Sequence, residues 1–216
     1  ILILSRMKET LPPTMKSRLK LSLFRIGWKD VFEPKIIPVF WIMLFVSFSA
    51  GAMITLIPDT SKIIGWTNKG LYFTIYTVSS IVIRFFFSKA SDQYGRIPVL
   101  IFGCFMLSIS MFLLVFSANS YLLIASAIIY GIAWGFNTPT LAAWTNDLGD
   151  KNHMGRAMAT MYIALEAGIG IGAYVSGEIY QGIPNHIPIP FLIAGLLSLL
   201  AFLLLWKKKQ AWTYGI

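Results

Sequence analysis

Residues 88–98, Ser88-Lys-Ala-Ser-Asp-Gln-Tyr-Gly-Arg-Ile-Pro98, form a short polar segment between two long apolar runs, Leu71–Phe87 and Pro98–Phe116. An aspartate, a glycine and an arginine lie close together in a turn whose neighbours are almost entirely hydrocarbon. Long apolar runs joined by short charged turns are typical of helices that cross a membrane and return.

The composition of the whole chain agrees with a membrane environment. Of its 216 residues, 56% are hydrophobic and 12% are charged, whereas an ordinary soluble domain has about 25% charged residues. A soluble globule of this length could not bury so much apolar surface. Six segments reach the roughly 20 residues that a helix needs to cross a bilayer: about 36–58, 70–87, 98–116, 121–142, 158–180 and 189–206.

Helices are the predicted secondary structure of these segments. Barrel strands have about 10 residues of alternating polarity, whereas these runs are longer and apolar on all faces. Backbone groups in lipid must pair within their own segment, which favours helices. We therefore predict an all-α membrane protein, with six transmembrane helices over residues 36–206, a basic connector over residues 1–35 and a C-terminal tail over residues 207–216.

The basic residues are distributed unevenly. Of the 18, eight precede the first span, two lie in each of the second and fourth loops, and three follow the last span; the first loop has two, and the third and fifth have none. Because cytoplasmic loops are enriched in Lys and Arg, we predict an integral membrane protein with both termini in the cytoplasm. The net charge of +9 thus indicates orientation and attraction to anionic lipid, and we predict no nucleic-acid partner.

The sequence offers no constellation typical of an enzyme or a metal site. Cys104 is a lone cysteine within the third apolar run, and His153 and His186 lie in separate loops without ligand-spaced partners. A nucleophile with an adjacent base is also absent from the sequence. We predict that the protein is not an enzyme and uses no cofactor.

Polar residues within the spans are the candidates for a solute or ion path. Glu166 is a candidate proton or cation site, with pairing to another helix as the alternative, because a charge in hydrocarbon turns toward a partner or water. The third and sixth spans are nearly pure hydrocarbon, and we expect them to face lipid. The further cavity candidates are Tyr76, Ser80, Asn137 and Thr138; helix packing is the alternative for the last two.

Small residues recur at helical spacing in spans four and five, at Gly131 and Gly135 and at Gly168 and Gly172. Such spacing lets two helix backbones approach closely, although the glycines of span five could also provide a hinge. Pro139 removes a backbone donor and is expected to bend or open span four.

The charged turn is predicted to act as a conformational latch at the membrane face. Gly95 supplies a backbone shape that other residues resist, and Asp92 and Arg96 can each bond a neighbouring helix end. Such a cluster forms in one conformation and breaks when helix bundles move apart.

The run from Arg84 to Arg96 resembles the loop signature of the major facilitator superfamily, Gly-x-Leu-x-Asp-Arg-x-Gly-Arg-Arg/Lys, which often has an Arg ahead of it. Asp92, Gly95, Arg96 and the upstream Arg84 match, and we include Arg84 as the fourth residue of the predicted latch. The remaining positions differ in a way that resembles the second, C-terminal copy of the signature: Ser88 replaces the leading Gly, Ala90 the Leu, Gln93 the first Arg and Ile97 the final basic residue.

The resemblance implies that Ile1–Leu4 is the end of a sixth helix, that the connector joins two six-helix halves, and that the six spans are helices 7–12 of a twelve-helix transporter. Spans one, two, four and five would line a central cavity facing an N-terminal half absent from this sequence. The implied function is secondary active transport of a small solute by alternating access, with proton-coupled efflux of a drug-like or sugar-like compound as the specific expectation.

A six-helix channel or half-transporter that works as a homodimer is the alternative. A reading frame that continues upstream through about six further apolar spans would favour the twelve-helix transporter. A stop codon close upstream, with a start at Met7, would favour the six-helix protein.

Overall fold

A computed structural model of the chain describes residues 31–117 and 119–213. Within them are six long helices: α1 (Ile37–Ile63), α2 (Leu71–Phe87), α3 (Arg96–Val115), α4 (Ser120–Leu148), α5 (Met154–Tyr180) and α6 (Pro188–Thr213). Two 3₁₀ turns, Pro34–Ile36 and Pro184–His186, lead into α1 and α6, and a one-turn helix, Ala90–Gln93, lies between α2 and α3. The predicted helix end at Ile1–Leu4 and most of the connector lie outside the described residues.

The prediction of an all-α membrane bundle is confirmed, because each of the six apolar segments coincides with a helix and the described part of the chain has no strand. Five helical stretches are long and apolar enough to cross a membrane. The remaining apolar helix, α2, has 17 residues, which is at the lower end of the range of about 17–25 for a span.

Several helices extend beyond their apolar runs. Helix α4 continues to Leu148, α5 begins at Met154, and α6 continues to Thr213, so most of the predicted tail after residue 206 is helical. Apolarity marks the part of a helix that lies in hydrocarbon, whereas backbone hydrogen bonding continues into the polar interface. The sequence pattern therefore located the spans and underestimated their helical length.

The helices pack in a definite order of neighbours. Helix α5 packs against α1, α2 packs against α4, and α6 and α3 pack against each other behind α1 and α4. A smaller contact joins α1 directly to α4. The two flanking helices α2 and α5 consequently keep the most exposed surface of the bundle.

Glycines set the closest of these contacts. A Cβ on Gly168 would lie 2.6 Å from the carbonyl oxygen of Leu44, and a Cβ on Gly172 would collide with the carbonyl oxygen of Phe48. Real Cβ atoms do not approach this closely, so the backbones of α1 and α5 can touch only because these side chains are absent. On α4, Gly131 and Gly135 are in the same position against the backbone of α2.

The expectation that the third span mainly faces lipid needs correction. Leu100, Leu107 and Met111 on α3 are completely buried against its neighbours, whereas Phe102 and Phe105 on the other face are 45% and 42% exposed. The span has few polar residues and no polar face that distinguishes its two sides, so composition did not show that one side belongs to the core.

Hydroxyl groups link α3 to both neighbours. Ser108 Oγ donates to the Gly195 carbonyl of α6 at 3.0 Å, and Ser110 Oγ donates to the Ser126 carbonyl of α4 at 2.8 Å. All of these side chains are buried, so the bonds satisfy groups that would otherwise be unpaired in a dry interior.

Gly172→Ala should lower the free energy of unfolding by about 1–3 kcal/mol, the usual cost of overpacking a close contact. Gly170→Ala is the matched control, because a Cβ there meets no atom within 4 Å. The measurement is thermal unfolding of the purified protein in detergent. Equal melting temperatures for the two variants would contradict the close contact of α5 with α1.

Candidate functional site

The charged turn lies at the end of the bundle where α2, α4 and α6 end and α3 and α5 begin, here called the basic end. Gly95 precedes the first residue of α3 with φ 87° and ψ 158°, a conformation that side chains disfavour. The nearest atom to a Cβ there would be Pro98 Cδ at 3.7 Å. Backbone conformation, and not crowding, therefore requires glycine at this position.

Arg96 is the centre of the polar contacts at the turn. Its Nη1 donates to the Asp92 carboxylate and, at 2.8 Å, to Ser91 Oγ. Its Nε donates to Asp147 Oδ2, near the end of α4, also at 2.8 Å. One guanidinium group thus joins the α2–α3 turn to α4.

This Arg96 cluster (Asp92, Arg96 and Asp147) is open to solvent on one side. The side chains of Asp92 and Asp147 are 63% and 47% exposed, and that of Arg96 is 22% exposed. Ion pairs this exposed are individually weak, about 0.2–1 kcal/mol each. The cluster is therefore able to form and break without a large free-energy change.

Arg84, the fourth residue of the predicted latch, lies apart from this cluster. Its exposed side chain has no hydrogen bond or ion pair with another described residue. It lines a small cavity of about 190 Å³ between α2 and α4, together with Ser91 and Pro139. The structure thus brings together three of the four predicted residues.

A second ion pair lies at the basic end, and the sequence had not predicted it. Arg156 Nε, in the first turn of α5, donates to Glu33 Oε2 at 2.9 Å, and the Glu33 side chain is only 5% exposed. The backbone N–H of Glu33 also donates to Thr160 Oγ1 at 2.8 Å. An acidic residue three positions before the apolar run that begins at Ile36, in a mostly basic segment, was the available signal.

Two of the predicted cavity residues, Tyr76 and Ser80, lie in the contact between α2 and α4. The Tyr76 ring is edge-on to Tyr130 with 5.5 Å between centroids, and Ser80 is 5% exposed against the glycines of α4. Tyr130 in turn stacks with Trp134 at 5.9 Å. These three rings form an aromatic cluster between α2 and α4, in which Trp134 is partly exposed.

Asn137 lies in a helix contact, which was the alternative to a position in the cavity. Its side chain is completely buried and faces Gly103, where a Cβ would collide with the amide oxygen. Neither atom of the amide has a hydrogen-bond partner among the described residues. We therefore reassign Asn137 from the cavity to the α3–α4 interface. Its neighbour Thr138 remains half-buried.

Glu166 lies on the exposed face of α5, directly opposite the face that packs on α1. Tyr162, one turn earlier, is 55% exposed, and Tyr174, two turns later, is 70% exposed. Glu166 has no hydrogen bond or ion pair with another described residue. Because a carboxylate facing hydrocarbon is costly, this face of α5 has to meet water or further protein.

Neither Pro139, where α4 was expected to bend or open, nor the glycines of α5 interrupt their helices. Helix α4 runs through Pro139, and α5 runs through Gly168 and Gly172, without interruption.

In the loop that joins α4 and α5, the backbone N–H of Asn152 donates to the Asp150 carboxylate at 2.9 Å. This bond lowers the pKa of Asp150 below its ordinary value. Among the described residues, no three His, Cys, Asp or Glu side chains lie close enough to hold a metal ion.

Most of this chain is similar in sequence to known proteins. The chain is 25% identical over 184 residues to the quinolone resistance protein NorA of Staphylococcus aureus, covering 82% of this chain and 47% of NorA. It is also 25% identical over 175 residues to the uncharacterized MFS-type transporter MJ1560 of Methanocaldococcus jannaschii, covering 80% of this chain and 45% of that protein. The chain thus spans about half the length of the curated relatives it matches.

A family profile matches the chain, as these individual relatives do. The profile of the Major Facilitator Superfamily matches residues 39–211, which include nearly the whole length of the six long helices and the Arg96 cluster. The resemblance seen in the turn between α2 and α3 is thereby confirmed over most of the sequence. The chain belongs to the Major Facilitator Superfamily of membrane transporters.

Proposed function

We propose that the chain is the C-terminal half of a secondary active transporter that exports a small drug-like compound in exchange for protons. The family match over residues 39–211 carries the transport part of this proposal. The similarity to a relative named for quinolone resistance supports efflux. We further propose that the basic end faces the cytoplasm, since most of the described basic residues outside the spans lie there.

The partner of this bundle would be a second six-helix unit. The chain covers 47% of NorA, and the exposed carboxylate of Glu166 on α5 needs water or protein in front of it. Both observations support an N-terminal half that encloses a central cavity with this one. The alternative is a homodimer of six-helix chains, which would also place protein in front of Glu166.

The Arg96 cluster would serve as the latch of the alternating-access cycle. Arg96 bonds the α2–α3 turn through Asp92 and the end of α4 through Asp147. A movement that separates the turn from α4 must break at least one of these contacts. Since each contact is partly exposed and weak, the latch biases the conformational equilibrium without blocking it.

Glu166 would bind the coupled proton. Its exposure in the middle of α5, away from the charged residues near both ends of that helix, places a titratable group where water from a cavity can reach it. A carboxylate that loads a proton on one side of the membrane and releases it on the other needs such access in turn to both sides. The alternative role, pairing with a helix of the other half, leaves the group ionised throughout the cycle.

The aromatic cluster of Tyr76, Tyr130 and Trp134 favours an aromatic compound over a sugar as the solute. Tyr130 is buried, whereas Tyr76 and Trp134 beside it are partly exposed, and planar ring systems associate with aromatic rings. Trp134 is partly exposed and can reach a solute in the cavity.

Expression of the protein in cells that lack their own efflux pumps should lower the steady-state accumulation of a fluorescent quinolone. Collapse of the proton gradient with an uncoupler should restore accumulation to the level of cells without the protein. The measurement is cell-associated fluorescence after washing. Accumulation that expression does not change would remove quinolone efflux from the proposal.

Asp92→Asn should slow efflux because Arg96 then keeps only one carboxylate. Loss of one exposed ion pair changes the population of the latched state by about two- to fivefold, and we expect a change of that size in the initial efflux rate. Asp150→Asn is the matched control, since Asp150 is an exposed aspartate of the other described loop at the basic end and does not contact Arg96. Equal rates for both variants, at equal membrane abundance, would mean that the cluster is not a latch.

Glu166→Gln should abolish the dependence of efflux on external pH, because an amide does not titrate. Glu178→Gln should retain it, since Glu178 is an exposed carboxylate of the same helix near its other end. Initial rates measured between pH 5.5 and 8 test this. A Glu166→Gln variant whose pH profile matches the wild type would assign Glu166 to helix pairing.

A further inference from the structure

An apolar groove runs along the outside of the bundle between α1 and α6, here called the α1–α6 groove. Its volume is about 500 Å³, and its walls include Trp41 and Phe45 of α1 and Leu200 and Leu204 of α6. Trp41 is 50% exposed and Leu204 is 44% exposed. The groove is therefore an accessible, hydrocarbon-lined surface that no other described part of the chain fills.

The groove ends at a cation. Lys208 lines it at the basic end, and the Nζ atom of Lys208 lies 4.7 Å from the centroid of the Trp144 ring. Such a cation–π contact holds the ammonium group over the ring and fixes its position. Lys208 and Trp144 also line a second cavity of about 500 Å³ at the basic end, together with Arg96, Asp147 and Lys209. The apolar groove thus borders this second cavity, which has charged side chains in its wall and is here called the polar pocket.

The apolar groove and the cation at its end are arranged along the axis of α6. Leu200, Leu204 and Lys208 follow one another at steps of four on one face of α6, so the ammonium group lies about 12 Å along the helix from the start of the groove. A tryptophan beside a lysine at the end of an apolar helix is typical of the level of the lipid headgroups. The site therefore presents hydrocarbon at membrane depth and positive charge at headgroup depth.

The charges of the polar pocket select among ligands. Arg96 pairs with two carboxylates, Asp92 and Asp147, so these three side chains leave one net negative charge beside the pocket. Lys208 adds positive charge, and Lys209 lies beside it in the same wall. The two lysines in the wall of the pocket outweigh that negative charge by one. A free phosphate ion would leave the apolar groove empty, and an uncharged hydrocarbon would not use the lysine. An anionic amphiphile uses both parts.

We propose that Lys208 and Trp144, with the α1–α6 groove, form a binding site for an anionic glycerophospholipid from the leaflet at the basic end of the bundle. The phosphate would lie at Lys208, and one acyl chain would lie along Trp41, Phe45, Leu200 and Leu204. The site is separate from the face of α5 that carries Glu166, so the inference stands whether or not the proposed transport function is correct.

The test is photo-crosslinking of the purified protein in nanodiscs that contain a trace of lipid with a photoactivatable acyl chain. Phosphatidylglycerol and phosphatidylcholine carry the same chain and differ in headgroup charge. Peptides of α1 and α6 that acquire the lipid are quantified by mass spectrometry. We expect phosphatidylglycerol to label these peptides several-fold more than phosphatidylcholine does.

Lys208→Gln should lower phosphatidylglycerol labelling about fivefold, the contribution of one lysine near an anionic headgroup, whereas Lys208→Arg should retain it. Lys62→Gln is the matched control, since Lys62 is exposed at the opposite end of the bundle. Leu204→Trp should reduce labelling with every charge intact, because the larger ring fills the groove. Melting temperatures confirm that each variant is folded.

Three results would overturn the proposal. Equal labelling by the two lipids would mean that the groove takes up annular lipid without selection. Labelling by phosphatidylglycerol that is unchanged in Lys208→Gln would mean that the charge of Lys208 does not contribute to lipid binding in the groove. Crosslinks from a photoactivatable residue at position 204 to another segment of the protein, with no lipid adduct, would show that protein fills the groove.

Discussion

The close approach of backbones at glycine residues is the constraint on which the rest of the bundle depends. Helices in hydrocarbon gain little by excluding lipid from their contact, so their association relies on packing and hydrogen bonds at short range. Gly168 and Gly172 let α5 lie directly on the carbonyl oxygens of α1, and Gly131 and Gly135 do the same for α4 against α2. These two contacts determine where the exposed faces of α2 and α5 point.

Polar groups in this structure are divided by depth. Within the spans, several hydroxyls donate to backbone carbonyls of their own helix or of a neighbour, as Thr60 does to Leu56 and Ser108 to Gly195. Ion pairs among the described residues occur instead at the basic end. A rigid apolar interior with weak, partly exposed ion pairs at one end is suited to movement of whole helices, because the pairs can break while the interior stays packed.

Three features of the basic end share the final turns of α4. Asp147 accepts from Arg96, Trp144 lies under the ammonium group of Lys208, and both residues border the same polar pocket. A displacement of the end of α4 would therefore change the proposed latch and the proposed lipid site together. The contact of Glu33 with Arg156 joins the segment before α1 to α5.

The sequence by itself determined the all-α membrane class, the place of the six helices and the family, since long apolar runs and the turn motif are local patterns that need no knowledge of neighbours. Only the tertiary structure decided that Asn137 faces Gly103 in a helix contact, that one side of α3 belongs to the core, and that Asp147 and Glu33 are the acidic partners of Arg96 and Arg156. The physical reason is that helical periodicity states which residues share a face but not which helix that face meets. Partners separated by 51 and 123 positions in the chain are set by packing alone.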